Sequence, residues 1–171
     1  GEQEFWDPFF QKHTWVFGYG LQYRFLKTIE SQPDYGGVSH TGKGKQKGDF
    51  LTASDGDNRF TVLVEIKAPG TKLLQEKAHR SGAHAISKDL AEAVSQLQVN
   101  CRTWEVEGAR RESSKDSLES ESIWTVSPKG VLVIGDSSQL DSREKMQSFE
   151  LFRRNIRNPE IFTFDELLER A

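Results

Sequence analysis

The apolar positions of this chain follow two spacings, one helical and one alternating. Phe5, Trp6, Phe9 and Phe10 recur at helical intervals and predict a helix over 2–12. Trp15, Val16 and Phe17 follow, and Gly18 and Gly20 end that run. Imperfect alternation of Leu21, Tyr23 and Phe25 with Gln22, Arg24 and Leu26 predicts a strand over 21–29. The stretch 34–48, rich in Gly, Lys and Ser, reads as a loop. Strands over 50–53 and 60–67, with the turn signal Asp55-Gly56-Asp57-Asn58 between them, predict an antiparallel hairpin that Ala68-Pro69-Gly70 stops. The segment 73–85 has no clear period. Ile86, Leu90, Val94, Leu97, Cys101 and Trp104 then form one stripe, which predicts a helix over 87–106 capped by Ser87.

The second half is read the same way. The polar stretch 112–122 is expected to be solvated or mobile. Strands are expected over 123–126 and 131–134, separated by the turn Ser127-Pro128-Lys129-Gly130. The second of these is apolar on both faces, as a sheet interior requires. A helix over 139–157, a short extended piece at 161–164 and a last helix capped by Asp165 complete the chain. No internal repeat is visible. The order helix, strands, helix, strands, helix implies an α/β fold: a mixed β-sheet flanked by helices, in one domain over 1–171.

One place breaks the hydrophobic pattern. In Val62-Leu63-Val64-Glu65-Ile66-Lys67 a carboxylate and an ammonium stand two residues apart in an apolar run. Strand side chains alternate, so Glu65 and Lys67 share a face while Ile66 points away. Two charges there are costly unless a ligand or a solvent-filled cleft receives them. The segment Gly48-Asp49-Phe50-Leu51 brings a second carboxylate to the hairpin, because antiparallel pairing sets Asp49 near Glu65. Magnesium takes oxygen ligands, one or two of them protein carboxylates, and keeps several waters. Asp49, Glu65 and the carbonyl of Ile66 are therefore candidate metal ligands, with Mg²⁺, or Mn²⁺ in its place, as the cofactor. Lys67 is the candidate group beside the attacking water or the scissile phosphate. E-x-K alone is a common string; the apolar setting and the upstream Gly-Asp-Phe-Leu favour a site over a solvated edge pair.

Totals modify this picture little. The net charge of −3 argues weakly against nucleic acid, yet a nuclease needs only a local basic surface. Lys43, Lys45 and Lys47 just before Asp49 are candidate DNA-binding residues, and Arg153, Arg154 and Arg157 form a second basic group. For the arginines, a favourable interaction with the end of the late helix is the preferred reading. Gly37 to Lys43 satisfies only the first part of a P-loop pattern, because Gly44 stands where Ser or Thr is needed. That loop is read either as a basic contact to DNA backbone or as disordered. His40, His79 and His84 lack zinc spacing and are expected at the surface. The single cysteine, Cys101, excludes an internal disulfide and is read as a packing group. No uninterrupted apolar stretch is long enough to cross a bilayer and no secretory signal is visible, so no membrane and a cytoplasmic location are expected. The chain opens with Gly1 rather than Met and is expected to be excised from a longer protein.

The residues in order carry a more specific likeness. Asp-Phe-Leu followed by Glu-Ile-Lys resembles the PD-(D/E)xK nuclease signature. The chain resembles more closely the nuclease domain of the Shedu anti-phage defence proteins. Phe9-Phe10, Trp15 to Gly18, Gly48 to Leu51, Val64 to Pro69, Asp89-Leu90, Gln96, Gly130 to Gly135 and Ile161 to Leu167 carry it, across almost the whole chain. The resemblance implies a restriction-endonuclease-like core, magnesium-dependent cleavage of DNA, phage DNA as the partner, and homo-oligomeric assembly. Asp49, Glu65 and Lys67 match the acidic, acidic and basic catalytic positions. Gln96 matches a glutamine placed on the helix after the core strands; its own position at the margin of the apolar stripe also fits a solvated residue. Relatives often have Tyr four residues on, where this chain has Asn100. Glu4 is the candidate for a first-helix acid. The alternatives to a DNA nuclease are a non-catalytic DNA-binding or oligomerisation module on the same fold and an RNA nuclease.

Overall fold

Alternation and burial agree where the sheet is built. A computed structural model of the chain describes residues 26–31, 33–36, 46–54 and 59–169, with backbone alone at 26–31, 34–36 and 46–47. The helix expected over 2–12 with Glu4, the residues Lys43, Lys45 and His40, the turn 55–58 and the side chain of Lys47 lie outside them. Five strands form one sheet: β1 (Leu26–Ser31), β4 (Phe50–Ser54), β5 (Arg59–Ile66), β8 (Ile123–Val133) and β9 (Glu160–Phe162). They lie in the order β1-β4-β5-β8-β9. The first three pair antiparallel, and β5, β8 and β9 pair parallel. The sheet is mixed and β5 is its middle strand.

Strand periodicity divides the core into two layers. Leu51, Ala53, Leu63, Leu132 and Ile134 project to one face, and Phe50, Val62, Val64, Val131 and Val133 to the other. The first face is covered by α1 (Lys88–Val106), which buries Leu90, Ala93, Val94, Leu97, Cys101 and Trp104. Phe149 of α3 (Arg143–Asn155) joins that layer and is fully buried. The second face is covered by Phe164 and Leu167 of α4 (Phe164–Glu169). Full burial of one such side chain is worth roughly 1.5–3 kcal/mol, so these stripes decide where the helices sit.

Ser87 begins α1 as its sequence position predicts. Its hydroxyl oxygen accepts from the Leu90 N–H at 2.9 Å, while its own N–H donates to the Leu73 carbonyl at 2.9 Å. The same hydroxyl donates to the Lys72 carbonyl at 2.5 Å. The start of the helix is thereby tied to the segment that leaves β5.

Several expectations are corrected. The stretch expected to be a loop over 34–48 holds a two-stranded pair, β2 (Asp34–Gly36) with β3 (Gln46–Lys47). The segment without a period forms a second pair, β6 (Leu74–Ala78) with β7 (His84–Ile86). The polar stretch is solvated as expected, yet it folds as α2 (Glu112–Ser120), with Leu118 its one buried residue. Residues 123–133 form one strand rather than two. The expected turn survives only as an irregularity: Ser127 has φ 45°, and the register against β5 shifts between Phe60 and Val62. The late helix starts at Arg143, capped by Ser142, so Arg157 lies beyond its end. Asp165 falls inside α4 rather than capping it, and its carboxylate accepts from the N–H and hydroxyl of Ser137. Burial raises its pKa, but those bonds outweigh burial and hold it below the ordinary value.

Candidate active site

The hairpin register sets the two carboxylates opposite each other. Phe50 pairs with Val64 and Leu51 with Leu63, and one further step of that register places Asp49 across from Glu65. Glu65 continues the face of Leu63, toward α1, whereas Ile66 packs with the opposite layer. The alternation inferred from sequence therefore holds through the end of β5.

Each backbone group at this strand end has a defined direction. The Ile66 N–H donates to Asp49 Oδ2 at 2.7 Å, and the Lys67 N–H donates to the Val133 carbonyl at 2.8 Å. A residue's N–H and C=O leave a strand on the same side. The Ile66 carbonyl therefore leaves β5 on the side of Asp49. Beyond it, the Gly135 N–H reaches the Ala68 carbonyl at 3.2 Å. Gly135 has φ 66°, and a Cβ there would stand 2.9 Å from the Thr71 carbonyl oxygen and 2.7 Å from Leu73. Only glycine allows that close approach, which fixes the loop following Lys67.

Glu65 is 7% exposed. Its Oε1 accepts from Lys67 Nζ at 2.7 Å, and its Oε2 is buried with no hydrogen-bond partner. Lys67 is more open, with 40% of its side chain exposed against 9% for Glu65. A buried unmatched polar atom costs about 1–3 kcal/mol, and more when charged. A cation or donor meeting Oε2 would offset that cost.

This donor set fits a hard divalent cation. It offers two carboxylates at paired positions, the carbonyl of Ile66 on the same side, and one carboxylate oxygen in want of a partner. Oxygen ligands of that number, completed by water, suit magnesium. Among the described residues, no three His, Cys, Asp or Glu side chains gather as a ready-made cage. Two carboxylates and a carbonyl would not require one.

A cleft of about 1140 Å³ opens beside Lys67. One wall is Lys67 with Gly70, Thr71 and Lys72; the other is α1, presenting Asp89, Glu92, Gln96 and Val99. The structure thus brings Gln96 to the same cleft as Lys67, 29 positions away in sequence. Gln96 is exposed, and its Nε2 donates to Asn100 Oδ1 at 2.8 Å. Sequence reading did not find the Gly70-Thr71-Lys72 wall, nor Asp89 and Glu92 as cleft residues. The one signal was that the segment follows the strand stop Ala68-Pro69-Gly70.

Other candidates separate from this cleft. Arg153 binds Glu166 through two bonds, 2.7 and 2.6 Å, and also pairs with Glu150. His84 Nδ1 lies 2.8 Å from the Gln75 carbonyl oxygen, which it meets as a donor. Burial pushes the Cys101 thiol up to about 12, so it stays protonated and serves as packing. No helix among the described residues is long and apolar enough to cross a membrane.

Comparison with known proteins gives these features a setting. A sequence profile described as "Shedu protein SduA, C-terminal" matches residues 1–168. The chain is 27% identical over 175 residues to the Shedu protein SduA of Bacillus cereus (strain B4264), covering 99% of this chain and 44% of that protein. It therefore spans less than half the length of that relative. With the match running through nearly every residue, the chain belongs to the Shedu SduA family, in the region that family describes as C-terminal.

Proposed function

We propose that this chain is a metal-dependent DNA endonuclease domain acting in anti-phage defence, with a restriction-endonuclease-like core of the PD-(D/E)xK kind. One observation carries the reading: Glu65 Oε2 is buried and unpartnered near the end of the middle strand, on a residue whose other oxygen holds Lys67. The family, with its defence proteins, supplies the biological setting. Asp49, Glu65 and the Ile66 carbonyl would hold Mg²⁺ or Mn²⁺. When bound, such an ion lowers the pKa of a coordinated water and offsets phosphate charge.

The chain's own residues do the rest. Glu65 anchors the Lys67 ammonium, which faces the cleft and offsets charge on the scissile phosphate. Gln96, from the opposite wall, helps to orient the attacking water. Lys72 adds a second cation, but Asp89 and Glu92 balance the two lysines within the cleft. The positive surface that a polyanion needs is assigned to Lys43, Lys45 and Lys47. Phage DNA is the proposed partner, and the working form a homo-oligomer in the cytoplasm.

The test is cleavage of linear, nicked and supercoiled DNA with and without Mg²⁺, with Lys67→Ala as control. Metal-dependent cleavage lost in Lys67→Ala is the expected result. Cleavage unchanged in Asp49→Ala, Glu65→Ala and Lys67→Ala would overturn it. A second reading, a non-catalytic DNA-binding or oligomerisation module, is favoured by one feature: Lys67 already neutralises Glu65 within the chain. Calorimetry with Mg²⁺ or Mn²⁺ separates the two, since a module would bind neither ion or would be indifferent to Glu65→Ala.

A further inference from the structure

Asn100 is fully buried on α1, where its neighbours along the helix, Leu97, Cys101 and Trp104, are packing residues. An apolar side chain would fill that place without the cost Asn100 carries, because its Nδ2 has no hydrogen-bond partner. Its one bond is to Gln96, one helical turn earlier: Oδ1 accepts from Gln96 Nε2 at 2.8 Å. Gln96 lines the cleft that also receives Lys67. From this we infer that Asn100 is a positioning residue that fixes the orientation of the Gln96 amide. An amide has one donor end and one acceptor end. With Nε2 held by Asn100, Gln96 offers Oε1 to the cleft, and Oε1 takes no hydrogen bond from the described residues.

The consequence is chemical. Gln96 then acts as an acceptor toward a water or hydroxyl proton rather than as a donor toward phosphate. Reversal of the amide would exchange those roles. This assignment of polarity to Gln96 rests on the nuclease reading; the lock between Asn100 and Gln96 does not.

The lock is read directly by NMR of ¹⁵N-labelled protein, with the Gln96 side-chain resonance identified by its loss in Gln96→Ala. One of its two amide protons is expected to exchange with water about tenfold more slowly than those of exposed Gln147. In Asn100→Leu that protection is lost; in Asn100→Asp, which keeps an acceptor at Oδ1, it remains. Should Asn100→Leu fail to melt cooperatively, Asn100→Ala takes its place. Where DNA is cleaved, Asn100→Leu lowers kcat about tenfold at unchanged KM, and has no further effect in the Gln96→Ala background. Free exchange of the Gln96 amide in the unsubstituted protein, or exchange unaltered by Asn100→Leu, overturns the lock. Equal kcat losses in both backgrounds overturn the positioning role. An intact lock in a protein that cleaves no DNA with Mg²⁺ or Mn²⁺ leaves the lock standing and removes the nuclease reading instead.

Discussion

Two ion pairs in this molecule are built on opposite plans. Arg153 meets Glu166 with a bidentate pair of bonds, adds Glu150, and lies 5.1 Å over the ring of fully buried Phe149. Glu166 also accepts from the Thr163 N–H at 3.1 Å, which caps α4. Glu65 and Lys67 share one bond, and the second carboxylate oxygen is buried with nothing to accept from. The first pair joins α3 to α4 and uses its hydrogen-bonding capacity within the fold. The second leaves capacity over, beside a cleft. Charge placed in an apolar setting is thus structural where its geometry closes on itself and points to a ligand where it does not.

The largest expected difference lies in activity. On the nuclease reading, Lys67→Ala lowers DNA cleavage by about 10²–10³-fold at temperatures where the domain is still folded, its melting temperature falling because Glu65 loses its partner, whereas Arg153→Met leaves the cleavage rate within about twofold. A matched set of rate and melting measurements checks both arms; equal activity losses would dissolve the contrast. Next comes stability. Glu166→Met leaves Arg153 with Glu150 as its one carboxylate and removes the acceptor of the Thr163 N–H, and is expected to cost about 2 kcal/mol in urea unfolding. Glu65→Met removes a buried carboxylate with one oxygen unbonded, and the half-open Lys67 turns to water, so the domain is expected to gain about 1 kcal/mol. A loss of similar size at both sites would show that the orphan oxygen carries no penalty.

The smallest effect is in pH. Burial raises the Glu166 carboxyl, but the Arg153 bonds outweigh it and hold its pKa below the ordinary 4.5; Glu150 is shifted down in the same way. A carboxylate with a lowered folded-state pKa stabilises fully above its unfolded value and loses that contribution as pH falls through the folded one. The stability gap between the unsubstituted protein and Glu166→Gln is therefore full near about pH 6 and shrinks below about pH 4.5. Urea melts across that range check it, and a gap independent of pH would show that the pair acts by packing alone.

The legible parts of this fold are those where spacing and burial coincide. The stripe of α1 could be read because it buries one regular face, the Ser87 cap because it stands where that stripe begins, and the β4–β5 hairpin because two short apolar runs buried on both faces flank a turn signal. The same alternation singled out Glu65 and Lys67. The helix at Glu112–Ser120 was missed because Leu118 is its one buried residue, so no stripe exists to be seen. The pair β6–β7 was missed because β6 exposes four of its five residues. Strand β8 was divided in two because Pro128 and Gly130 usually mark a turn, yet parallel pairing with β5 resumes at Lys129. Asn100 was seen only as a departure from Tyr; its bond to Gln96 needed coordinates, because one string cannot show which polar group is buried.

The position of Glu65 within the sheet has a consequence for regulation. Strand β5 is held on both sides, by β4 and by β8, up to the residues that carry the charges. Amides zipped into the centre of a sheet lie toward the global end of the opening scale, so those of β5 are expected to be among the slowest to exchange. The strand end that carries Glu65, with Lys67 at the cleft beside it, is therefore a fixed anvil. Any on–off control of the cleft has to act on what is brought to it: the facing helix, the loop pinned at Gly135, or the substrate itself.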